Sequence, residues 1–292
     1  MRTITSLTIA VLLVTPALAA DGALEGTLLD PAGPIASAER QLMLWAAGIM
    51  LIVVVPVFVL AGLFAWRYRE GGKHTYAPDW DFSRLIEIGI WFVPLSIIAV
   101  LGALTWTSTH KLDPYRALAG SGPVMHVQAI ALDWKWLFVY PDARVASVGD
   151  LVVPIGRDVS VSLTSDTVMN SFSVPALAGQ IYAMAGMQTQ LHLRADKPGS
   201  YPGRNTQFSG AGFPTDAFVV RAVSDADFRA FLDRAAREGE SLTLSAYDRL
   251  ADPASPNEPR LYRDASPTLF GSVMTAYERG TVAPRVLPGG NQ

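Results

Sequence analysis

The sequence of 292 residues contains no cysteine. Disulfide bonds, thiolate sites for copper, zinc or iron–sulfur clusters, and lipid anchors attached through cysteine are therefore excluded. Histidine is scarce as well, and the four histidines are far apart in the chain: His74, His110, His126 and His192. Because no two of them form a close pair with ligand spacing, we expect no metal site built on histidine.

Charged residues are also few. They make up 17% of the chain, whereas 50% of the residues are hydrophobic, a high share for a soluble protein. The formal net charge of −3 gives no reason to expect nucleic acid as a partner. A chain of this length has room for one or two domains.

The N-terminus has the pattern of a secretory signal peptide. Arg2 supplies a positive charge, residues 7–14 are mostly apolar, and Ala17-Leu18-Ala19 matches a cleavage site for small residues. The apolar stretch is too short to span a bilayer. We expect residues 1–19 to be a signal peptide cleaved after Ala19, with Ala20 as the alternative.

Two long runs that lack charged residues, 41–66 and 88–109, predict transmembrane helices over 41–66 and 87–109. Each run is long enough to cross a hydrocarbon core of about 30 Å. Pro56 and Pro94 lie inside them, and membrane helices tolerate proline where neighbouring helices supply hydrogen-bond partners. The sequence therefore predicts a two-helix hairpin.

Basic residues predict the orientation of this hairpin, because lysine and arginine collect on the cytoplasmic side of a membrane. The N-terminal segment 20–40 holds only Arg40. The connecting segment 67–86 holds four basic residues: Arg67, Arg69, Lys73 and Arg84. We therefore expect an inner-membrane protein of a bacterial cell with two spans, a cytoplasmic 67–86 segment, and periplasmic 20–40 and C-terminal parts.

The chain beyond Pro123 changes to short alternating runs separated by glycine, proline and aspartate. These runs predict strands over 124–131, 136–140, 160–164, 189–193 and 218–223. Many short strands within 110–223 indicate a β-sandwich or a Greek-key barrel.

The remaining segment, 224–292, has a helical and polar pattern at first. It predicts a helix over 225–238, a shorter one over 245–250, and then aromatic residues at irregular spacing. We expect this extension to pack on the β-rich domain or on a partner subunit, and its final residues to be disordered.

Five polar or aromatic positions between 168 and 216 carry the most specific signal. Asn170 precedes Ser-Phe-Ser-Val-Pro, and Asn205, Ser209, Phe213 and Asp216 follow later at fixed spacing. The segment resembles the dicopper domain of subunit II of the haem-copper respiratory oxidases. There a His precedes Ser-aromatic-x-x-Pro, and Cys-x-x-x-Cys-Gly-x-x-His follows, with a Met three residues further on. The resemblance places the first His at Asn170, the two Cys at Asn205 and Ser209, the second His at Phe213 and the Met at Asp216.

All five side-chain ligands are thus replaced while the spacing is kept, as in the quinol-oxidising branch of that family, the subunits II of cytochrome bo-type ubiquinol oxidases. The resemblance implies a membrane-anchored α+β fold: a transmembrane hairpin, a periplasmic cupredoxin-like β-barrel and a short helical C-terminal extension. It also implies a complex that oxidises ubiquinol, reduces oxygen to water and pumps protons. This chain would scaffold subunit I.

The resemblance implies no metal and no redox cofactor in this chain, since the haems and copper would lie in subunit I. The expected partners are subunit I, smaller membrane subunits, membrane lipid and quinone. Neither cytochrome c nor nucleic acid is expected to bind.

A dicopper centre needs soft thiolates, imidazoles and a thioether, which asparagine, serine, phenylalanine and aspartate cannot supply. We expect Asn170, Asn205 and Ser209 to hydrogen-bond with one another instead, and Phe213 to fill the former metal cavity with apolar bulk.

Trp134 and Trp136 resemble the aromatic patch that receives electrons from cytochrome c in the copper-bearing relatives. The alternative is that both rings pack in a core or a subunit interface. Without copper beneath it the patch has no electron acceptor, which favours packing.

Glu87 stands at the start of the second predicted span and has two possible roles. A carboxylate in the first turn is favoured by the helix dipole, with Asp81 or Ser83 as the N-cap. By the resemblance, Glu87 is instead a candidate for the entrance of a proton-uptake path, and carboxylates at a membrane edge are often functional. The sequence leaves both roles open.

Two other functions compete with the quinol-oxidase subunit. A cytochrome c oxidase subunit II would require the two cysteines that the chain lacks. A membrane-anchored cupredoxin-like binding or assembly protein without an oxidase partner would share the fold but not the complex.

Overall fold

The computed structural model describes residues 26–69, 82–120 and 122–278. The predicted signal peptide, most of the 67–86 segment and the final residues for which we expect disorder lie outside these ranges. The chain divides into two compact units, Glu39–Asp113 and the remainder.

The first unit is a pair of long helices, α1 over Pro34–Arg67 and α2 over Arg84–Lys111. Their most apolar windows have mean hydropathies of 2.8 and 2.2, and no residue of those windows is buried within the chain. Both helices are candidate membrane spans by length and composition. Each extends beyond its predicted bounds, because helical hydrogen bonding continues through the polar residues that end an apolar run.

The second unit is rich in strands, and its first part contains ten of them. They are β1 Met125–Leu132, β2 Lys135–Tyr140, β3 Val145–Val148, β4 Asp150–Pro154, β5 Val159–Ser165, β6 Asn170–Val174, β7 Ala178–Ala183, β8 Thr189–Leu193, β9 Gly199–Arg204 and β10 Ala217–Val223. The C-terminal extension adds three helices and two short strands. They are α3 Asp225–Glu238, β11 Glu240–Ser241, α4 Leu244–Ala251, β12 Arg260–Arg263 and α5 Leu269–Glu278.

The strands form two sheets. The larger one has the order β11-β12-β3-β2-β1-β5-β8, and the smaller one has the order β4-β10-β9-β6-β7. Most neighbours are antiparallel, but three pairs are parallel: β1 with β5, β4 with β10, and β11 with β12. The two sheets pack face to face around an inner core, which is the layered arrangement that the strand pattern predicts.

Aromatic rings occupy the centre of this inner core. Trp136 and Phe138 extend from β2 towards Phe172 of β6 and Phe218 of β10. The rings of Phe172 and Phe218 are stacked at 4.7 Å, and the ring of Trp136 lies 5.5 Å from each of them. Such rings bury large apolar areas and fix the spacing between the sheets.

The opposite face of the larger sheet is covered too. Ile130, Leu137 and Val139 point away from the inner core and form a second, outer core with the C-terminal extension. The extension contributes Tyr247 and Leu250 from α4, among others. Because neighbouring residues of a strand face opposite sides, β2 takes part in both cores and all six of its residues are buried. The extension therefore packs on the β-rich domain, one of the two predicted locations.

The segment before α1 is bound to the same unit. Ala32 N donates to Ala176 O and Asp196 N donates to Ala32 O, both at 2.7 Å. A Cβ atom on Gly33 would overlap the carbonyl oxygen of Arg194, so that only glycine permits this close approach.

Candidate functional site

Three neighbouring strands of the smaller sheet bring four of the five predicted positions together. Asn170 begins β6, Asn205 and Ser209 follow β9, and Asp216 precedes β10. Since β9 pairs with both β6 and β10, these strand ends meet at one edge of the sheet. Asn170, Asn205 and Asp216 are all buried.

Asn205 is the centre of a hydrogen-bond network at this edge. Its Nδ2 donates to Asn170 Oδ1 at 2.7 Å, to Asp216 Oδ2 at 2.8 Å and to Ser209 Oγ at 3.1 Å. The structure thus contains hydrogen bonds that join Asn205 to Asn170 and to Ser209. Asp216, which the resemblance places at the position of the thioether ligand, also belongs to the network.

The other side of the Asn205 amide is equally engaged. Its Oδ1 accepts from the backbone N–H of Ser171 at 2.8 Å and of Gln207 at 2.9 Å. Asn170 Nδ2 in turn donates to Val168 O at 2.9 Å. Buried amides are stable when their donors and acceptors are paired, and this amide is paired on both sides.

Asp216 is the titratable group of the network. Burial raises the pKa of Asp216 to about 6, and the hydrogen bond from Asn205 opposes this rise. Among the described residues, neither Asp216 Oδ1 nor Trp136 Nε1 has a hydrogen-bond partner. The nearby indole N–H of Trp136 also lowers the pKa of Asp216, although its geometry is outside that of a regular hydrogen bond.

Phe213 does not fill the space between these polar groups. It lies in a short 3-10 helix, Phe213–Thr215, its side chain is half-buried, and its ring packs 5.8 Å from the exposed ring of Phe208. The expectation that Phe213 occupies the former metal cavity is therefore wrong, because the polar network itself fills the interior and the turn directs the ring towards the surface.

Trp134 and Trp136 lie in different surroundings. Trp136 is fully buried in the inner core, whereas Trp134 is half-buried in the turn between β1 and β2 with a backbone φ of 58°. Trp134 Nε1 donates to Ser209 O at 3.0 Å. A Cβ atom on Gly212 would overlap the indole of Trp134, so that the loop after β9 needs glycine there. Both rings are packed into the domain.

Sequence inspection missed Lys135, which lies between these two tryptophans. Its side chain is buried, and Nζ donates to Asp252 O and Ser255 O, both at 2.9 Å. The signal was present in the sequence, because the continuous apolar run after Lys135 indicates a strand buried on both faces.

The donor set of this site is poorly suited to a metal. No group of three or more His, Cys, Asp or Glu within residues 26–69, 82–120 and 122–278 could hold a metal ion. Amide and hydroxyl oxygens with one carboxylate are hard ligands, and copper in a thiolate-type centre needs soft ones.

Glu87 lies in the first turn of α2. Its backbone N–H donates to Ser83 O at 2.9 Å, and Trp91 Nε1 donates to Glu87 Oε1 at 3.0 Å. Ser83 is the N-cap residue, but its side chain makes no capping hydrogen bond. The alternative cap, Asp81, lies outside the described residues.

Comparisons with known proteins extend the resemblance to most of the chain. Residues 144–223 match the family model described as cytochrome c oxidase subunit II, periplasmic domain. The chain is 44% identical to cytochrome bo(3) ubiquinol oxidase subunit 2 of Pseudomonas putida, over 86% of this chain and 81% of that protein. It is 41% identical to ubiquinol oxidase subunit 2 of Acetobacter aceti, over 87% and 84% of the two chains.

The chain belongs to the ubiquinol oxidase subunit 2 family. A more distant member, quinol oxidase subunit 2 of Bacillus subtilis, is 33% identical over 84% of this chain and 78% of that protein. Membership in the ubiquinol oxidase subunit 2 family confirms the resemblance that the replaced ligands indicate. It also confirms the predicted fold, with two apolar helices followed by a cupredoxin-like domain and a helical extension.

Ubiquinol oxidase subunits 2 are parts of an oxidoreductase complex, and the family assignment therefore does not favour a binding or assembly protein that works without an oxidase. Family membership does not by itself assign roles to individual residues. Hydrogen-bond geometry shows how Asn170, Asn205, Ser209 and Asp216 are held, while their descent from metal ligands and the role of Glu87 stay predictions.

Proposed function

We propose that this chain is the subunit 2 of a proton-pumping terminal oxidase that transfers electrons from ubiquinol to oxygen, and that it carries no redox centre itself. In this proposal the haems and copper belong to subunit I, and the chain scaffolds that subunit from the periplasmic side. The names of the relatives support the substrate, since those from Pseudomonas putida and Acetobacter aceti are called ubiquinol oxidase subunit 2.

One observation carries the proposal that the chain is redox-inactive. The buried amide of Asn205 forms hydrogen bonds that connect the ends of three strands, at the place where a dicopper centre would need its ligands. Oxygen and nitrogen atoms that hydrogen-bond with one another occupy this space. A one-electron relay from cytochrome c to subunit I would need a metal here, whereas a quinol dissolved in the membrane can reach subunit I without one.

The test uses the complex purified through a tag on this chain. We expect a haem-containing subunit to co-purify, and oxygen consumption to require ubiquinol and not to be driven by reduced cytochrome c. The chain separated from its partners should contain no stoichiometric copper. A copper pair bound to the separated chain, or its isolation as a colourless single protein, would contradict the proposal.

The orientation of the hairpin is part of the same proposal. Arg67, Arg69 and Arg84 lie at the ends of α1 and α2 that flank the connecting segment, which supports a cytoplasmic location for that segment and a periplasmic one for the β-rich unit of an inner-membrane protein. A phosphatase reporter that is active only in the periplasm should work when fused after Val223 and fail when fused within 67–86. The reverse pattern would overturn this orientation.

We also propose that Glu87 admits protons to the complex. The carboxylate is exposed on the first turn of α2, and among the described residues only the indole N–H of Trp91 donates to it. Replacing Glu87 by glutamine keeps an acceptor for Trp91 but removes the ionisable group. Glu87→Gln should therefore slow oxygen reduction and proton uptake of the assembled complex by about tenfold or more, as expected for loss of a proton-transfer group.

Glu87→Asp should restore part of this activity, and Glu240→Gln, which changes an exposed acid of the extension, should leave it unchanged. Normal turnover of Glu87→Gln together with reduced stability of the helix hairpin would assign Glu87 to helix capping alone.

A further inference from the structure

A cleft in the β-rich unit is lined by arginines from three different elements. Arg221 belongs to β10, Arg234 to α3 and Arg260 to β12, and all three line a cavity of about 390 Å³. Its lining comes from β3, β4, β10, β12 and α3, and α3 contacts β3, β4 and β12. A cavity of this size is within the range of small-molecule sites.

The positive charge of this arginine cleft is only partly neutralised. Arg221 Nε lies 3.0 Å from Asp150 Oδ2, and Asp150 is the one acidic residue of the lining. Arg260 approaches Glu258 at 4.0 Å, where Glu258 is 70% exposed and the pair is screened by water. For Arg234, the part of the chain that the structure describes provides no ion-pair partner. Three cations around one cleft repel one another unless an anion enters it.

The floor of the arginine cleft is apolar and rigid. Val148, Val152 and Phe231 are buried and contribute to the lining, and Leu261 is half-buried beside them. Ser147 fixes the position of Asp150, because its Oγ donates to Asp150 O at 2.6 Å. The cleft therefore combines a fixed apolar floor with a cationic lining, which suits an anion that carries a carbon group.

We propose that the arginine cleft binds a phosphate group. Three guanidinium groups from three different elements offer more N–H donors than the two oxygens of a carboxylate need, whereas a tetrahedral phosphate has enough oxygens to accept from all three. Two positive charges are left after Asp150 offsets one arginine, which fits the charge of a phosphate monoester or the environment of an anionic lipid headgroup. This site is independent of the quinol-oxidase function and of the Asn205 network.

Equilibrium dialysis with labelled inorganic phosphate tests the site on the full-length chain in a neutral detergent at low salt. We expect saturable binding of one phosphate per chain. Arg234→Gln and Arg260→Gln should each weaken binding by about tenfold, the loss expected for one hydrogen bond to a charged group. Arg229→Gln is the matched control, because Arg229 lies on the same helix but does not line the cleft. Equal thermal unfolding midpoints would show that the variants fold alike.

Competition identifies the source of the phosphate group. Short-chain phosphatidylglycerol that displaces the label more tightly than unlabelled phosphate points to a lipid headgroup, whereas the opposite order points to a free anion. Phosphatidylcholine of the same chain length is the zwitterionic control. Absence of saturable binding, or a loss in Arg229→Gln as large as in Arg234→Gln, would overturn the proposal.

Discussion

Asn205 shows how much one side chain can contribute to the stability of a domain when both the oxygen and the nitrogen of its amide are buried. It links the starts of β6 and β10 and the loop after β9 through Asn170, Asp216 and Ser209, and its Oδ1 also accepts from the backbone N–H of Ser171. The groups bound to it have few other partners, and leaving a buried polar group unpaired is more costly than a hydrogen bond is favourable.

Asn205→Ala should therefore reduce the free energy of unfolding of the β-rich unit by about 3 kcal/mol or more, since several buried groups lose their partner at once. Asn257→Ala is the control, because the Asn257 amide also donates to two backbone carbonyls but is less buried; its cost should stay below about 1 kcal/mol. Chemical unfolding of both variants provides the comparison. Equal losses of unfolding free energy in the two variants would show that the Asn205 network stabilises the domain no more than the less buried Asn257 amide does.

Asp216 should make the stability of the domain depend on pH. Its pKa in the folded state, about 6, lies above the ordinary value of 3.8, so the folded protein binds the proton more readily than the unfolded chain. The contribution of Asp216 to the free energy of unfolding is therefore most favourable below pH 3.8, declines as the pH rises to about 6, and is constant above that. The full difference corresponds to about 3 kcal/mol.

Asp216→Asn removes this titration while keeping an acceptor for Asn205. The variant should be more stable than the parent protein above pH 6, and the difference should vanish towards pH 4. Thermal unfolding midpoints across that range measure it, with Asp142→Asn as an exposed control. Parallel curves for parent and variant would mean that the carboxylate is ionised in both states.

At the residue scale, the sequence predicts polar contacts better than ring orientations. Mutual hydrogen bonding of Asn170, Asn205 and Ser209 follows from a spacing that brings them to one site and from side chains able to pair. The orientation of Phe213 depends on a short 3-10 turn that its local sequence does not specify. The apolar run after Lys135 indicates a strand buried on both faces, but the hydrogen-bond partners of Lys135 lie in the extension, more than a hundred positions away, and no local pattern reveals them.

At the scale of elements, Lys135 anchors the segment that follows α4. Its ammonium group donates to the carbonyls of Asp252 and Ser255, one of which ends the helix. Lys135→Ala should leave these carbonyls unpaired and raise the rate of proteolytic cleavage within 252–259 by about tenfold or more. Lys197→Ala, which removes an exposed lysine, should leave the rate unchanged. An unaltered cleavage pattern in Lys135→Ala would show that the outer core alone holds the segment.

Element prediction from the sequence depends on how regular each pattern is. The five predicted strands correspond to β1, β2, β5, β8 and β10 with small shifts at their ends, and α3 has the predicted bounds. Strands β6, β7 and β9 contain polar, glycine or proline residues where alternation would need apolar ones, so they give no periodic signal. Their places are fixed by pairing with neighbours.

At the scale of the whole domain, the two cores share strand β2, and they should unfold together. Leu250 of α4 is buried in the outer core, and Leu250→Ala should lower the stability by about 3 kcal/mol through the cavity that it creates. Calorimetry of the full chain should show the main transition of the β-rich unit shifted to lower temperature. Leu244→Ala, on the same helix but 74% exposed, should shift it little.

A separate early transition in Leu250→Ala would instead show that the extension unfolds independently of the sheets. The shared strand makes this outcome unexpected, because Trp136 and Phe138 belong to one core while Leu137 and Val139 belong to the other.

The doubly covered sheet also constrains how the protein is made. Phe270 and Val273, which complete the outer core, are among the last of the described residues to leave the ribosome. Until they emerge, the cover on one face of strands β1 to β3 is incomplete and part of its apolar surface stays exposed. Exposed apolar faces and strand edges promote aggregation during folding. The cell must therefore keep this half-finished domain from associating with other chains until synthesis is almost complete.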